Sequence, residues 1–194
     1  MKQQRVVLAS SSTYRREALR RLEIRFESAS PEVDETPLAD ESPEALVERL
    51  SLSKAKALRD EFPDAVIIGS DQIALHQGQI LGKPGTVERA VAQLKAFSGK
   101  EVQFLTGLAV YSAETGESRY HLDTTFVQFR ELEEEQIRAY IEREMPLNCA
   151  GSFKSEGLGI VLFERIRNDD PSALIGLPLI ATAELLQSFG IKLL

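Results

Sequence analysis

Arg5-Val6-Val7-Leu8-Ala9-Ser10-Ser11-Ser12-Thr13-Tyr14-Arg15-Arg16 is the stretch on which the fold turns. Four consecutive apolar residues, Val6 to Ala9, read as a short buried strand. The period then switches: Ala18, Leu19 and Leu22 recur on one helical face, which predicts a helix from about Thr13 to Leu22. Three serines in between suit a strand-to-helix turn, because a serine hydroxyl caps the free N–H groups of a first helical turn. A buried strand followed directly by a helix is the opening of an α/β fold.

The same alternation continues outward. Pro31 to Pro43 reads as an acidic loop, and Pro43 after Ser42 marks a helix start that extends toward Arg59 with Leu46, Val47, Leu50 and Ala57 inward. Ala65–Gly69 is a second apolar strand that ends at Ser70-Asp71-Gln72, and Ile73–Leu75 and Gln79–Leu81 form a small hairpin around Gly78. A helix over Val87–Phe97 stops at Ser98-Gly99. Two long strands, Val102–Tyr111 and Arg119–Arg130, flank the turn Glu114-Thr115-Gly116. Phe126, Gln128 and Arg130 alternate with Val127 and Phe129, so one sheet face is partly wet. Glu133–Arg143 reads as a helix, Gly157–Arg167 as a strand and Leu177–Phe189 as a closing helix. The fold class is α/β with a mixed, twisted sheet.

Bulk properties bound the function. The chain has 194 residues, enough for one domain or two small lobes, and at 43% hydrophobic and 27% charged it is neither disordered nor fibrous. Met1 to Arg5 is short and polar, which predicts no signal peptide, and no apolar run reaches membrane-spanning length. Cys149 is the only cysteine, so no internal disulfide forms and a reducing cytoplasm is expected; the residue itself reads as a small buried hydrophobe. A net charge of -7 argues against nucleic-acid binding. It leaves room for a small anionic substrate held by locally gathered cations.

Arg15 and Arg16 in a first helical turn oppose the helix dipole, a conflict that a bound phosphate relieves. The plainer reading is a serine cap followed by solvated arginines. Asp71, at the end of an apolar strand, can hold a metal or orient a water, or simply cap a turn. Lys83 lies between Gly82 and Pro84 on a stiff turn, with Lys54 on the preceding long helix. Glu32-Val33-Asp34-Glu35 supplies paired carboxylates of the kind that capture magnesium, or is a solvated acidic loop. His76 and His121 are isolated and lack metal-ligand spacing.

Taken in order, Leu8-Ala9-Ser10-x-Ser12-x-x-Arg15-Arg16, Glu32-Val33-Asp34-Glu35, Lys54-Ala55-Lys56-Ala57, Gly69-Ser70-Asp71-Gln72 and Gly82-Lys83-Pro84 resemble the Maf family of nucleotide pyrophosphatases. Ala150 to Gly157 and Gly176-Leu177-Pro178-Leu179 fit as well, so the resemblance runs from end to end as a single domain, 1–194. It implies an inosine triphosphate pyrophosphatase-like, three-layer α/β/α structure with two lobes around an active-site cleft, assembled as a homodimer. It also implies a divalent cation, Mg2+ or Mn2+. By the same resemblance Asp71 is the proton acceptor, and Ser10, Ser12, Arg15, Arg16, Lys54 and Lys83 bind the triphosphate. Asp34, Glu35 and Asp71 lie near the metal.

Three positions distinguish the family's branches: Tyr14, Gln72 and Glu156. Members acting on dTTP and UTP usually carry arginine, threonine and glutamine there. The present set is similar to the branch acting on 7-methyl-GTP, whose first position is aromatic. Thr13 departs from the proline common at its place. Physically, N7-methylated guanine is cationic, so an aromatic face at Tyr14 and a carboxylate at Glu156 suit it. The implied activity is hydrolysis of 7-methyl-GTP to the monophosphate and pyrophosphate. A dTTP/UTP-preferring pyrophosphatase and a non-enzymatic, nucleotide-binding regulator of septum formation are the competing readings. Because a carboxylate of ordinary acidity is a weak base toward water, Asp71 is expected to act on a metal-activated water or to ligate the metal.

Overall fold

A computed structural model describes residues 4–194, so Met1 to Gln3 of the polar lead-in lie outside the described residues. Strand β1 (Arg5–Ala9) leads into helix α1 (Thr13–Arg20), then β2 (Glu27–Ala29), α2 (Pro43–Ala57), β3 (Ala65–His76) and β4 (Gln79–Leu81). Helix α3 (Val87–Phe97), the long strands β5 (Glu101–Ser112) and β6 (Ser118–Phe129), helix α4 (Glu134–Glu144), β7 (Phe163–Arg167) and α5 (Leu179–Ser188) follow. Among the described residues seven strands form one mixed sheet in the order β2-β1-β3-β5-β6-β7, with β4 on β3. β1 runs parallel to both β2 and β3, whereas β3–β4 and β6–β7 are antiparallel.

The chain divides into two compact units. The first comprises the described part of Met1–Asp71, Thr106–Asp123 and Asp170–Leu194; the second comprises Gln72–Leu105 and Thr124–Asp169. In the first unit the apolar run of β1 is buried on both faces. Val6 and Leu8, with Val66, Ile68, Leu108 and Val110, pack against Leu19 of α1 and Leu186 of α5. Val7 and Ala9, with Ile67, Ala109 and Tyr111, pack against Ala55 and Leu58 at α2. Period-two strands between helices give this unit the three layers that the resemblance implies.

Helix α2 starts as read: Ser42 caps it by accepting the Ala45 N–H at 3.2 Å, with Pro43 in its first turn. Its inward face carries Leu46, Val47, Leu50, Ser51, Lys54 and Ala55, with Leu58 at its end, and Ala57 is exposed rather than inward. Helix α1 ends at Arg20, two residues short of the expected limit. Leu22 still packs on the core from the following turn.

The largest difference concerns β3, which runs unbroken for twelve residues where two pieces were expected. Its parallel partner β1 stops at Ala9, opposite Gly69. β3 continues two residues past that point to Asp71 and then pairs with β4 through a tight turn at Gln77 and Gly78, both at positive φ. Asp71 is therefore within a strand, just beyond the carboxyl end of its parallel neighbour.

The second unit has an aromatic core. Phe97, Phe104, Phe129, Phe153 and Phe163 meet edge-on or tilted, with ring centroids 4.8–5.8 Å apart. The strand expected over Gly157–Arg167 is real only from Phe163. Leu158–Leu162 forms a 3-10 turn instead, since the Leu158 N–H donates to Glu144 Oε1 at 2.9 Å. A Cβ at Gly159 would stand 2.3 Å from the Lys154 carbonyl oxygen, so the chain there packs in a way that no other residue permits. Cys149 is half-buried rather than buried. Among the described residues no helix is long and apolar enough to cross a membrane.

Candidate functional site

The turn between β1 and α1 is built from its own serines. Ser10 is buried and its Oγ accepts the Ser12 N–H at 3.1 Å, while Ser12 Oγ caps α1 by accepting the Arg15 N–H at 3.3 Å. Ser28 of β2 donates to the Ser10 carbonyl at 2.9 Å, so the turn is fixed from both sides. No acidic residue occupies the first turn of α1, and the positive end of the helix dipole stands unneutralised beside Arg15 and Arg16.

Arg15 is half-buried and aimed. Its Nε donates to the Gly176 carbonyl at 2.8 Å, and Ser70 Oγ donates to the same oxygen at 2.9 Å. Burial draws the guanidinium below its ordinary pKa, and the Asp71 and Glu35 carboxylates oppose that shift. It remains charged, a half-buried cation near two carboxylates. Arg16 has a buried Nε with no hydrogen-bond partner among the described residues, which marks it as a donor in need of an acceptor.

The acidic half of the site centres on Lys54. This lysine is only 7% exposed, and its Nζ lies 2.6 Å from Asp71 Oδ1 and 2.6 Å from Glu35 Oε1. Lys54 and Asp71 form a buried ion pair with the more exposed Glu35 beside it, so losing Lys54 would leave the buried Asp71 carboxylate unpaired.

Two glycines bring Lys54 there. A Cβ at Gly69 would stand 2.2 Å from the Ser51 carbonyl oxygen and 2.7 Å from the Ala55 nitrogen. One at Gly107 would stand 2.5 Å from Ser51 Oγ. Bare backbone on β3 and β5 therefore lets α2 settle directly on the sheet. Ser51 uses the closeness: its Oγ donates to the Val47 carbonyl at 2.7 Å and accepts the Asp71 N–H at 3.1 Å.

The loop carrying Glu35 is tied to α2 by Arg49. Its Nε and Nη2 hold Glu41 at 2.6 and 2.8 Å, and Nη2 also donates to the Thr36 carbonyl at 3.0 Å. The Arg49 guanidinium, helped by the Leu38 N–H, holds the Glu41 carboxyl down at about 2. Asp34 is exposed and turns into its own loop, accepting the Thr36 N–H at 2.9 Å, and this bonding lowers its pKa.

The structure brings Arg15, Glu35, Lys54 and Asp71 into one electrostatic cluster in the first unit, which also holds Ser10, Ser12 and Arg16, while Asp34 of the same unit accepts from Thr36 instead. Among the described residues no three His, Cys, Asp or Glu side chains are placed to hold a metal ion. Tyr14 is half-buried on α1. Gln72, Lys83 and Glu156 belong to the second unit. There Lys83 is exposed on a turn fixed by Gln93 Nε2 donating to the Gly82 carbonyl at 3.1 Å, and Glu156 is exposed beside Ser155. Sequence reasoning named Ser70 and Gly176 only as parts of motifs, without a role, and missed Ser51 and Gly107. Of the two missed residues Gly107, a glycine inside an apolar strand run, carried a sequence signal of close backbone approach.

The carboxyl end of a parallel strand pair, with a capped, acid-free helix mouth and a lysine-bridged carboxylate pair, is the kind of place where α/β proteins hold phosphate. The family model for the Maf-like proteins matches residues 5–189, and the chain belongs to that family. A 7-methyl-GTP pyrophosphatase of Albidiferax ferrireducens is 51% identical over 99% of this chain and 96% of its own length. Relatives bearing the same name in Polaromonas sp. (53%, covering 97% of this chain and 86% of theirs) and Pseudomonas aeruginosa (51%, covering 97% and 98%) are similarly near. The solved structure of the Staphylococcus aureus Ham1 protein is a distant partial likeness: TM-score 0.47, 14% identity, covering 66% of this chain and 72% of that one.

Proposed function

We propose that the chain hydrolyses 7-methyl-GTP to the nucleoside monophosphate and pyrophosphate, as the names of its relatives indicate for them. The observation that carries the reading is Lys54, buried between Asp71 and Glu35 while both carboxylates act on Arg15. Such a cluster places cations for a phosphate tail next to a carboxylate that can take a proton.

The amides of the α1 mouth, Ser10, Ser12, Arg15 and Arg16 grip phosphate oxygens, where charge accumulates as the reaction proceeds. Asp71 Oδ1 is held by Lys54, which leaves Oδ2 to accept a proton from the attacking water. The water oxygen bonds to the α-phosphorus, the bond to the bridging oxygen breaks, and pyrophosphate departs with that electron pair.

Glu35 and Asp71 are hard oxygen donors already gathered on one cation, a set that fits Mg2+ or Mn2+ completed by waters and substrate phosphates. When bound there, the cation supplies charge neutralisation on the phosphates and acidifies water. Lys83 neutralises the phosphate tail, and Tyr14, Gln72 and Glu156 read the base; for these four the support is the motif alone. A cytoplasmic homodimer belongs to the same proposal.

The test is a nucleotide panel of 7-methyl-GTP, GTP, dTTP and UTP with magnesium or manganese, scored for pyrophosphate and orthophosphate. Pyrophosphate release led by 7-methyl-GTP is expected. Orthophosphate as the product, or no turnover of any nucleotide, refutes the proposal.

A further inference from the structure

The Gly176 carbonyl receives two hydrogen bonds from residues far apart in sequence, Arg15 Nε and Ser70 Oγ. The segment that presents this oxygen is held by a dense set of buried bonds. Asp170 Oδ1 accepts the Ser172 N–H at 2.9 Å and the Ser172 hydroxyl at 2.5 Å, and Asp170 Oδ2 accepts the Ile180 N–H at 2.6 Å. Ser172 Oγ in turn accepts the Leu179 N–H at 2.7 Å, and Thr106 Oγ1 donates to the Ala173 carbonyl at 3.2 Å. All these residues lie in the first unit.

Gly176 itself has φ +110, a backbone conformation that L side chains rarely adopt, and a Cβ there would come within 3.3 Å of Arg15 Nε. A conformation this constrained, next to an arginine fixed through one nitrogen only, has the form of a gauge. Nε is occupied, so the guanidinium plane is set while its two Nη groups remain to meet an anion. A planar fork set in this way suits bidentate phosphate recognition.

Ser70 is fully buried and immediately precedes Asp71, whose own N–H is held separately by Ser51. The hydroxyl of Ser70 therefore fixes the Gly176 oxygen to β3 without bearing on the Asp71 backbone. We infer that Ser70 is a positioning residue for substrate binding, registering the Gly176 carbonyl, and through it the Arg15 guanidinium, to the strand that carries Asp71. The inference rests on the phosphate-binding role of Arg15 proposed above and adds a residue that touches no substrate.

The test is a double-mutant cycle of Ser70→Ala and Arg15→Ala, read in KM and kcat for 7-methyl-GTP turnover and in Kd by calorimetry. Ser70→Ala alone should raise KM and Kd roughly three- to tenfold with kcat within twofold, because Asp71 keeps its own support. In the Arg15→Ala background the same change should move either constant less than twofold. Ser70→Cys, which keeps the volume and a weak donor, should fall between wild type and Ser70→Ala, and it reads the inference if the alanine variant fails to fold. Equal Ser70→Ala effects with and without Arg15, or no effect on binding, overturn it. If wild type binds nucleotide without releasing pyrophosphate, the pyrophosphatase reading fails while the cycle is still read in Kd. If wild type binds no nucleotide, both fail.

Discussion

Gly69→Ala is a change of one methyl group that should injure both stability and turnover, and the structure sets the size of each effect. The new Cβ would stand 2.2 Å from the Ser51 carbonyl oxygen, whereas ordinary contact begins near 3.4 Å, so α2 must retreat from β3 by about 1.2 Å. Backbone atoms of Ser51 and Ala55 are the obstacle, and no side-chain rotation relieves it. Overpacking of this kind costs about 1–3 kcal/mol, which in a chain of this size lowers Tm by roughly 2–12 °C. Lys54 sits between the two displaced residues, and its bond to Asp71 is 2.6 Å long, so a shift near 1 Å takes the ammonium off the carboxylate. Misplacement of that order costs about a hundredfold in rate. Thermal denaturation and pyrophosphate release should be measured on the same preparation. If Tm stays within 1 °C and kcat within twofold of wild type, α2 is not held to the sheet by the missing side chain, and the account of how Lys54 reaches Asp71 is wrong.

Further outcomes follow from single contacts. Asp71→Asn keeps the size of the side chain but loses the proton acceptor; kcat should fall at least about a thousandfold while Kd for nucleotide changes little, checked by calorimetry beside turnover. Tyr14→Arg with Glu156→Gln removes the aromatic face and the carboxylate, and the preference for 7-methyl-GTP over UTP should drop by about 2- to 30-fold, the range a cation–π contact supplies. Glu41 is held at about 2 against an ordinary 4.5, so its pairing with Arg49 stabilises the fold above pH 4.5 and is lost as pH falls toward 2. Melting curves of wild type and Glu41→Gln should accordingly differ near neutrality and converge across that interval.

Much of this was legible along the chain. The switch from Val6–Ala9 to the Ala18–Leu19 period placed β1 and α1, and Ser42-Pro43 placed the start of α2, because these are local signals of burial and capping. β2 was missed, since Glu27–Ala29 is three residues of mostly polar sequence whose strand character comes from pairing with β1. β3 was cut short at Gly69 because Ser70-Asp71-Gln72 reads as a polar terminus, whereas the hydroxyl and the carboxylate are buried there by Gly176 and Lys54. The candidate site was legible as residue types and not as an arrangement. Nothing near Asp34 says that its carboxylate turns into its own loop while Glu35 reaches Lys54. The seat that Gly69, Gly107 and Ser51 make for α2 joins three separate segments, and only packing reveals it.

The central claim, that water attacks the α-phosphorus with pyrophosphate as the leaving group, is tested most directly by hydrolysing 7-methyl-GTP in 18O-labelled water and weighing both products by mass spectrometry. One 18O in the nucleoside monophosphate and none in pyrophosphate is the result predicted. Label in pyrophosphate, or in orthophosphate released alongside the diphosphate, contradicts it.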